Sequence, residues 1–143
     1  SIPKSRGSLI KYKKGLKKLT ILDESYNSNP LSLKFALQRF NLINIETSKK
    51  YLLIGDMLEL GTYSKKLHIE IAKYINKSKV NKTYAYGRHT KHTFNKLKPQ
   101  IRGRILTNIM DIYNLINKVL PNNSLLMVKG SNSTGLNKII QKL

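Results

Sequence analysis

The sequence predicts one α/β domain: a mostly parallel sheet covered by helices on both faces. Three observations carry this. Short apolar runs alternate with stretches whose apolar residues recur every three or four positions, the signature of strand–helix units. Runs such as Tyr51–Ile54 and Leu125–Val128 are apolar throughout, as expected of strands buried on both faces. The chain has 143 residues, 40% of them apolar, which supports one core and leaves little room for a second.

The elements follow in order. Leu19–Leu22 reads as a strand, paired with Ser8–Tyr12 across a turn at Gly15. Asn29 before Pro30 is an N-cap followed by proline at the first helical position, and Leu33, Ala36, Leu37 and Phe40 mark the buried stripe of the helix. Tyr51–Ile54 is the next strand, ending at Gly55-Asp56. Ser64 is expected to cap a helix whose Leu67, Ile71, Ala72 and Ile75 share a face. Thr83–Tyr86 is a short strand closed by Gly87, followed by a weaker helix at Thr90–Leu97. Arg104–Leu106 gives another strand, and Ile109–Leu120 a helix ended by Pro121. Leu125–Val128 is the last strand and Leu136–Leu143 the last helix. Nothing repeats at a fixed period.

Composition narrows the function. Cysteine is absent, which excludes a disulfide scaffold, thiolate metal sites and cysteine catalysis. No apolar run approaches the roughly 20 residues of a membrane span, and no signal-peptide core precedes the domain, so a cytoplasmic location is expected. The chain starts at Ser1, and Ser1-Ile2-Pro3-Lys4 reads as a linker tail. The net charge is +20, yet only five of the 27 basic residues are Arg, and the lysines are scattered along a chain also rich in Ile and Asn. A general compositional drift explains the excess without a nucleic-acid partner, and no RNA-binding aromatic signature or zinc-finger spacing is present. Loose, salt-sensitive contact with polyanions is all the charge implies.

The seven acidic residues are more informative, because four of them (Asp23, Glu24, Asp56 and Glu59) follow apolar runs in two short segments. In a parallel sheet, ligands bind beyond the carboxyl ends of the strands. Three strand ends are chemically unusual: Asp23–Pro30, Gly55–Gly61 and Lys129–Ser133. They are expected to converge on one edge. In the first, a carboxylate suits ribose hydroxyls, Asn suits an adenine edge and Tyr26 offers a ring. Composition alone reads the same residues as a helix-capping loop. In the second, paired carboxylates suit a metal ion, an ammonium group or a proton in transit, and the plain alternative is a solvated connection. Lys129-Gly130-Ser131 offers an ammonium and backbone N–H groups to an anion, but it lacks the spacing of a P-loop. His89 and His92 stand three apart with no third ligand near, so no metal site is expected. His68 either faces the two-carboxylate loop or fills the polar flank of its helix. No catalytic serine, nucleophile elbow or dinucleotide fingerprint is present.

Together these segments resemble the C-terminal domain of a Mur ligase. Arg6-Gly7, the run Asp23-Glu24-Ser25-Tyr26-Asn27-Ser28-Asn29-Pro30, Gly55-Asp56-Met57-Leu58-Glu59-Leu60-Gly61 with His68 beyond it, and Val128-Lys129-Gly130-Ser131-Asn132 occur in the family's order and spacing over nearly the whole chain. Ser28 stands for the family's alanine, Ser5 for a glycine before Arg6, and Asn132 for an arginine. The resemblance implies a Rossmann-like fold and a part in an ATP-dependent ligase of peptidoglycan synthesis, in the branch of the family that joins D-alanyl-D-alanine to UDP-N-acetylmuramoyl-tripeptide. It implies one C-terminal domain over 1–143, with 1–7 a hinge remnant, and N-terminal and central ATPase domains outside this chain.

It also implies roles for individual residues. Arg6, Glu24, Tyr26, Asn27 and Asn29 would meet the nucleotide. Asp56, Glu59, His68, Lys129, Ser131 and Asn132 would lie near the acceptor substrate, the last without the family's arginine. ATP and Mg2+ would be held mainly by the central domain, so the fragment alone is expected to be inactive and to contain neither a catalytic residue nor a metal ligand. A monomer with no specific nucleic-acid or membrane partner is expected. The alternatives are a free-standing α/β nucleotide-binding module and a basic nucleic-acid-binding protein.

Overall fold

A computed structural model describes residues 6–43, 49–131 and 134–143. Its frame is a six-stranded sheet of β1 (Ser8–Lys14), β2 (Lys17–Glu24), β3 (Lys50–Gly55), β4 (Lys82–Tyr86), β5 (Arg102–Leu106) and β6 (Leu125–Lys129), in the order β1-β2-β6-β3-β4-β5. Only β1 is antiparallel to its neighbour. It pairs with β2 from Ser8↔Asp23 to Lys14↔Lys17 across a turn in which Gly15 has φ +59°, a left-handed conformation that glycine adopts without steric cost. The other strands run parallel, with β6 between β2 and β3.

The helices are α1 (Pro30–Leu42), α2 (Ser64–Asn76), α3 (Thr90–Phe94), α4 (Ile109–Asn114) and α5 (Leu136–Gln141). They divide between the two sheet faces because successive strand residues point to opposite sides. In β6, Leu126 and Val128 join a core with Ile112, Ile116 and Leu136, while Leu125 and Met127 join another with Leu33, Phe40 and Ile75. Among the described residues no helix is long and apolar enough to cross a membrane.

Several boundaries differ from the sequence expectation for physical reasons. Strand β2 continues through Asp23 and Glu24, which pair with Val128 and Lys129, so both carboxylates end a strand instead of opening a loop. Strands β2, β4 and β5 begin earlier than their apolar runs, at Lys17, Lys82 and Arg102; the backbone of each pairs in the sheet while its cationic head donates to a backbone carbonyl of a neighbouring turn. Asn29 caps α1 as expected, accepting from Ser32 N at 2.8 Å, and Ser32 Oγ accepts in return from Asn29 N at 3.0 Å. Ser64 does not cap α2. A 3-10 turn at Gly61–Tyr63 runs directly into the helix, Tyr63 occupies the cap without a side-chain bond, and Ser64 is the first helical residue. The stretch Ile109–Leu120 is not one α-helix: α4 gives way to a π-helical turn at Leu115–Val119, closed by Leu120 N donating to Leu115 O at 2.9 Å.

Candidate functional site

The described residues of all three chemically unusual segments meet at the carboxyl edge of the sheet, and β6 joins them. Register sets Lys129 between Glu24 of β2 and Ile54 of β3. Its side chain is 3% exposed, and its Nζ donates to the carbonyl oxygen of Asn27, with Glu24 O at 3.5 Å. Burial lowers the ammonium pKa to about 8; the Glu24 carboxylate opposes this shift and the Arg39 guanidinium adds to it. Two residues on, Ser131 faces the other way: its Oγ accepts from Leu58 N at 3.2 Å and its N–H lies 3.4 Å from Asp56 O. One short strand end therefore ties down both loops.

The first grouping is a cleft of about 390 Å³ lined by Arg6, Glu24, Tyr26, Asn27, Ser32, Arg39 and Lys129. The Arg6 guanidinium lies 3.9 Å over the Tyr26 ring, a cation–π contact that holds the entering chain against the rim. Glu24 is buried and accepts from Arg39 Nη2 at 3.1 Å. Asp23 is turned inward, accepting from Ser25 N at 3.1 Å and Ser25 Oγ at 2.5 Å. The Asn29 side-chain oxygen is committed to the α1 cap, behind the cleft. The cleft thus combines an aromatic face, a carboxylate and three cations, the donor set that suits a nucleotide.

The second grouping surrounds the loop after β3. Asp56 is buried, and its carboxylate accepts three backbone N–H groups at the start of α3: Arg88 at 2.9 Å, His89 at 2.9 Å and Thr90 at 3.0 Å. Gly87 just before them has φ +132°, and a Cβ there would stand 2.5 Å from Asp56 Oδ1. His68 is fully buried. Its Nε2 accepts from Met57 N at 3.1 Å, so Nδ1 carries the proton and donates to Ser64 O at 2.7 Å. Desolvation lowers its pKa, and the ring stays neutral. Both residues brace the loop, and neither presents a free polar atom to a substrate. Glu59 differs: it is exposed, holds φ +63°, and no hydrogen bond or ion pair among the described residues engages its carboxylate. Among the described residues no group of three His, Cys, Asp or Glu side chains is placed to hold a metal ion.

Three of the expected acceptor-side residues have surroundings that the sequence did not show. Lys129, expected at the acceptor side, lies in the cleft with Glu24 and Asn27. Asp56 and His68 lie on the expected edge but are occupied by backbone groups. Asn132 is outside the described residues. Sequence reasoning missed Arg39; the signal was there, since it lies in the last turn of α1, but only the fold returns it to Glu24, 15 residues earlier.

The family described as Mur ligase, glutamate ligase domain, matches residues 6–132. The chain belongs to the Mur ligase family. Among curated Mur ligases, the UDP-N-acetylmuramoyl-tripeptide--D-alanyl-D-alanine ligase of Rickettsia prowazekii is 30% identical over 140 residues, covering 98% of this chain and 30% of the relative. The ligase of the same description from Bacillus subtilis is 36% identical over 83 residues, which is 58% of this chain and 17% of the relative. Among solved Mur ligases, MurF from Acinetobacter baumannii superposes with a TM-score of 0.77 at 23% identity over 100% of this chain and 30% of its own. MurF from Thermotoga maritima in complex with ADP gives 0.73 at 18% identity, over 99% and 30%. These likenesses establish the fold. The chain spans no more than about a third of the length of these four relatives.

Proposed function

We propose that this domain is the closing domain of an ATP-dependent ligase that joins D-alanyl-D-alanine to UDP-N-acetylmuramoyl-tripeptide in the cytoplasm. In that reaction the γ-phosphoryl group of ATP passes to the tripeptide carboxylate, leaving ADP. The dipeptide amine then attacks the acyl carbon, phosphate departs, and an amide remains. The present residues supply positioning. Tyr26 offers its ring to the base, Asn27 its amide, Glu24 its carboxylate to the ribose, and Arg6 a charge toward the phosphates from the chain's entry point. Mg2+ accompanies the triphosphate, with its ligands outside this chain. Glu59, whose carboxylate is free, is the best-placed group on this edge to meet the dipeptide ammonium; Asp56 and His68 hold its loop in shape, and Ser131 holds that loop to β6.

One observation carries the reading: residues from four separate segments (Arg6; Glu24, Tyr26 and Asn27; Arg39; and Lys129) line a single cleft at the strand ends. The order of motifs and the likeness to ligases of this description support it. The test is to titrate ATP into the isotope-labelled chain and follow backbone amides by NMR. Base and ribose contacts without the triphosphate's other partners suggest a dissociation constant near the millimolar range, about −4 kcal/mol. Shifts should centre on Tyr26, Asn27 and Arg6. Shifts confined to the distant lysines, with Asn27 silent, would refute the assignment. The chain alone should release no phosphate from ATP when both other substrates are supplied; turnover above a heat-killed control would show that it is more than a closing domain.

A further inference from the structure

The fold sorts the charges that the sequence scatters. Of the seven carboxylates, Asp23, Glu24, Asp56, Glu59 and Asp111 lie at the carboxyl ends of strands or just beyond them; Glu70 lies on α2, 3.2 Å from Lys73, and Glu46 is outside the described residues. The opposite edge, where the parallel strands begin, carries no carboxylate among the described residues. Four of its five parallel strands open on a cation: Lys17, Lys50, Lys82 and Arg102. Turns on the same edge add exposed lysines, Lys13, Lys14 and Lys18 in the β1–β2 hairpin and Lys77 and Lys79 before β4. Compositional drift raises the number of lysines, but it does not place five of the six described carboxylates at the other edge.

The edge is also greasy. Leu16 at the hairpin tip is 94% exposed and Leu42 at the end of α1 is 84% exposed, the two most exposed large apolar side chains described, and Val119 before β6 is 52% exposed. All three sit among the cations. Leu16 lies between Lys14 and Lys17; Asn41, beside Leu42, accepts from Lys50 Nζ at 3.0 Å; and Leu120, beside Val119, accepts from Lys17 Nζ at 2.5 Å. Six strands set roughly 4.8 Å apart make an edge roughly 24 Å long.

We propose that this lysine edge docks on an anionic lipid bilayer, with the Leu16 hairpin tip entering the headgroup layer and the ligand cleft facing away from the membrane. Charge complementarity selects the partner. Lysines act as point charges on anionic headgroups, and exposed aliphatic side chains add insertion. Nucleic acid fits less well. Arg102 gives its Nε and Nη2 to the carbonyls of Leu97 and Asn95, and the exposed apolar side chains of this edge are aliphatic, so neither an arginine fork nor a stacking platform is offered. This departs from the expectation that the domain has no membrane partner.

The test is co-sedimentation of the full chain with phosphatidylcholine vesicles, with and without about one-third phosphatidylglycerol, near physiological salt. Binding should require the anionic lipid. Each lysine at the surface contributes about fivefold to the partition coefficient, so K13Q/K14Q/K18Q should lower it about a hundredfold. The matched triple K65Q/K66Q/K91Q, at the other end of the domain, should change it less than threefold. The chain has no Trp, so L16W provides a single reporter whose emission should shift to the blue only with anionic vesicles. Equal losses from the two triples, an unshifted L16W, or tighter binding to duplex RNA than to the vesicles at the same salt would each overturn the proposal.

Discussion

Replacing Asp56 by Asn separates a structural carboxylate from a chemical one. In the native domain Oδ1 accepts from His89 and Thr90, and Oδ2 accepts from Arg88. Asparagine keeps an oxygen for the first pair but turns an NH2 group toward the Arg88 N–H. One charge-assisted bond is lost, and two become neutral. Bonds to charged groups contribute about 1.5–3 kcal/mol each and neutral ones about 1 kcal/mol, while water can reach the exposed Arg88 and soften the loss. The expected cost is about 3 kcal/mol. With an unfolding entropy of about 2.1 cal/mol/K per residue, 143 residues give about 0.3 kcal/mol/K, and Tm falls by about 10 °C. Circular dichroism during heating reads the shift, and hydrogen exchange at His89 and Thr90 should accelerate with it. A Tm within 1 °C of the native value, with those amides still protected, would mean that the carboxylate does not hold the turn. Asp56 would then be available to a substrate after all.

Three further outcomes follow from the same edge. Gly87→Ala should cost about 3 kcal/mol by thermal unfolding, because φ +132° is unfavourable for any side chain and the new Cβ meets a carboxylate held by three donors; a loss below 1 kcal/mol would show that the turn can relax. His68 is held neutral below its ordinary pKa, so the unfolded chain takes up the proton first, and the part of stability that rests on His68 should fall as pH drops below about 6.5. His68→Gln keeps an acceptor for Met57 N–H and should flatten that slope in denaturant titrations; an unchanged slope would assign it to other groups. Lys129 has the same relation to pH in a more alkaline range. Its folded pKa of about 8 lies below the unfolded value of 10.5, so the penalty for its buried charge is complete below pH 8 and lifts as pH rises between the two. The native chain should gain up to about 3 kcal/mol over Lys129→Met across that window, and parallel curves for the two proteins would remove Lys129 as the cause.

Much of the fold was legible because the central strands are apolar throughout and the helices keep their three-to-four spacing; Tyr51–Ile54 and Leu125–Val128 are buried as expected. The convergence of three strand ends was legible as well, since parallel strands must all end on one side. Partnership across the sheet was not. Nothing in the sequence near Asp56 points to backbone amides 32–34 residues later, because that contact depends on the β3–β4 register and on Gly87. The surroundings of Lys129 were hidden for a similar reason: its place follows the β2–β6 pairing, which sets it beside Glu24. Ser64 misled because a capping residue type does not cap when a preceding 3-10 turn already supplies the entry.

The single antiparallel strand has a geometric consequence for motion. Because β1 runs against β2, the chain enters the domain at the cleft, where Gly7 N donates to Asp23 O at 2.8 Å and Arg6 lies on Tyr26. A parallel β1 of seven residues would enter roughly 24 Å away, at the far end of the strand. Any chain preceding Arg6 is therefore tethered at the rim of the cleft, and rotation about that tether would make the domain a lever whose short arm holds the cleft residues. A swing of about 30° would carry the far edge about 12 Å over such a strand length, while Tyr26 and Glu24 stay within a few ångströms of the pivot. Such a swing is wide for the body of the domain and fine for the groups that line the cleft.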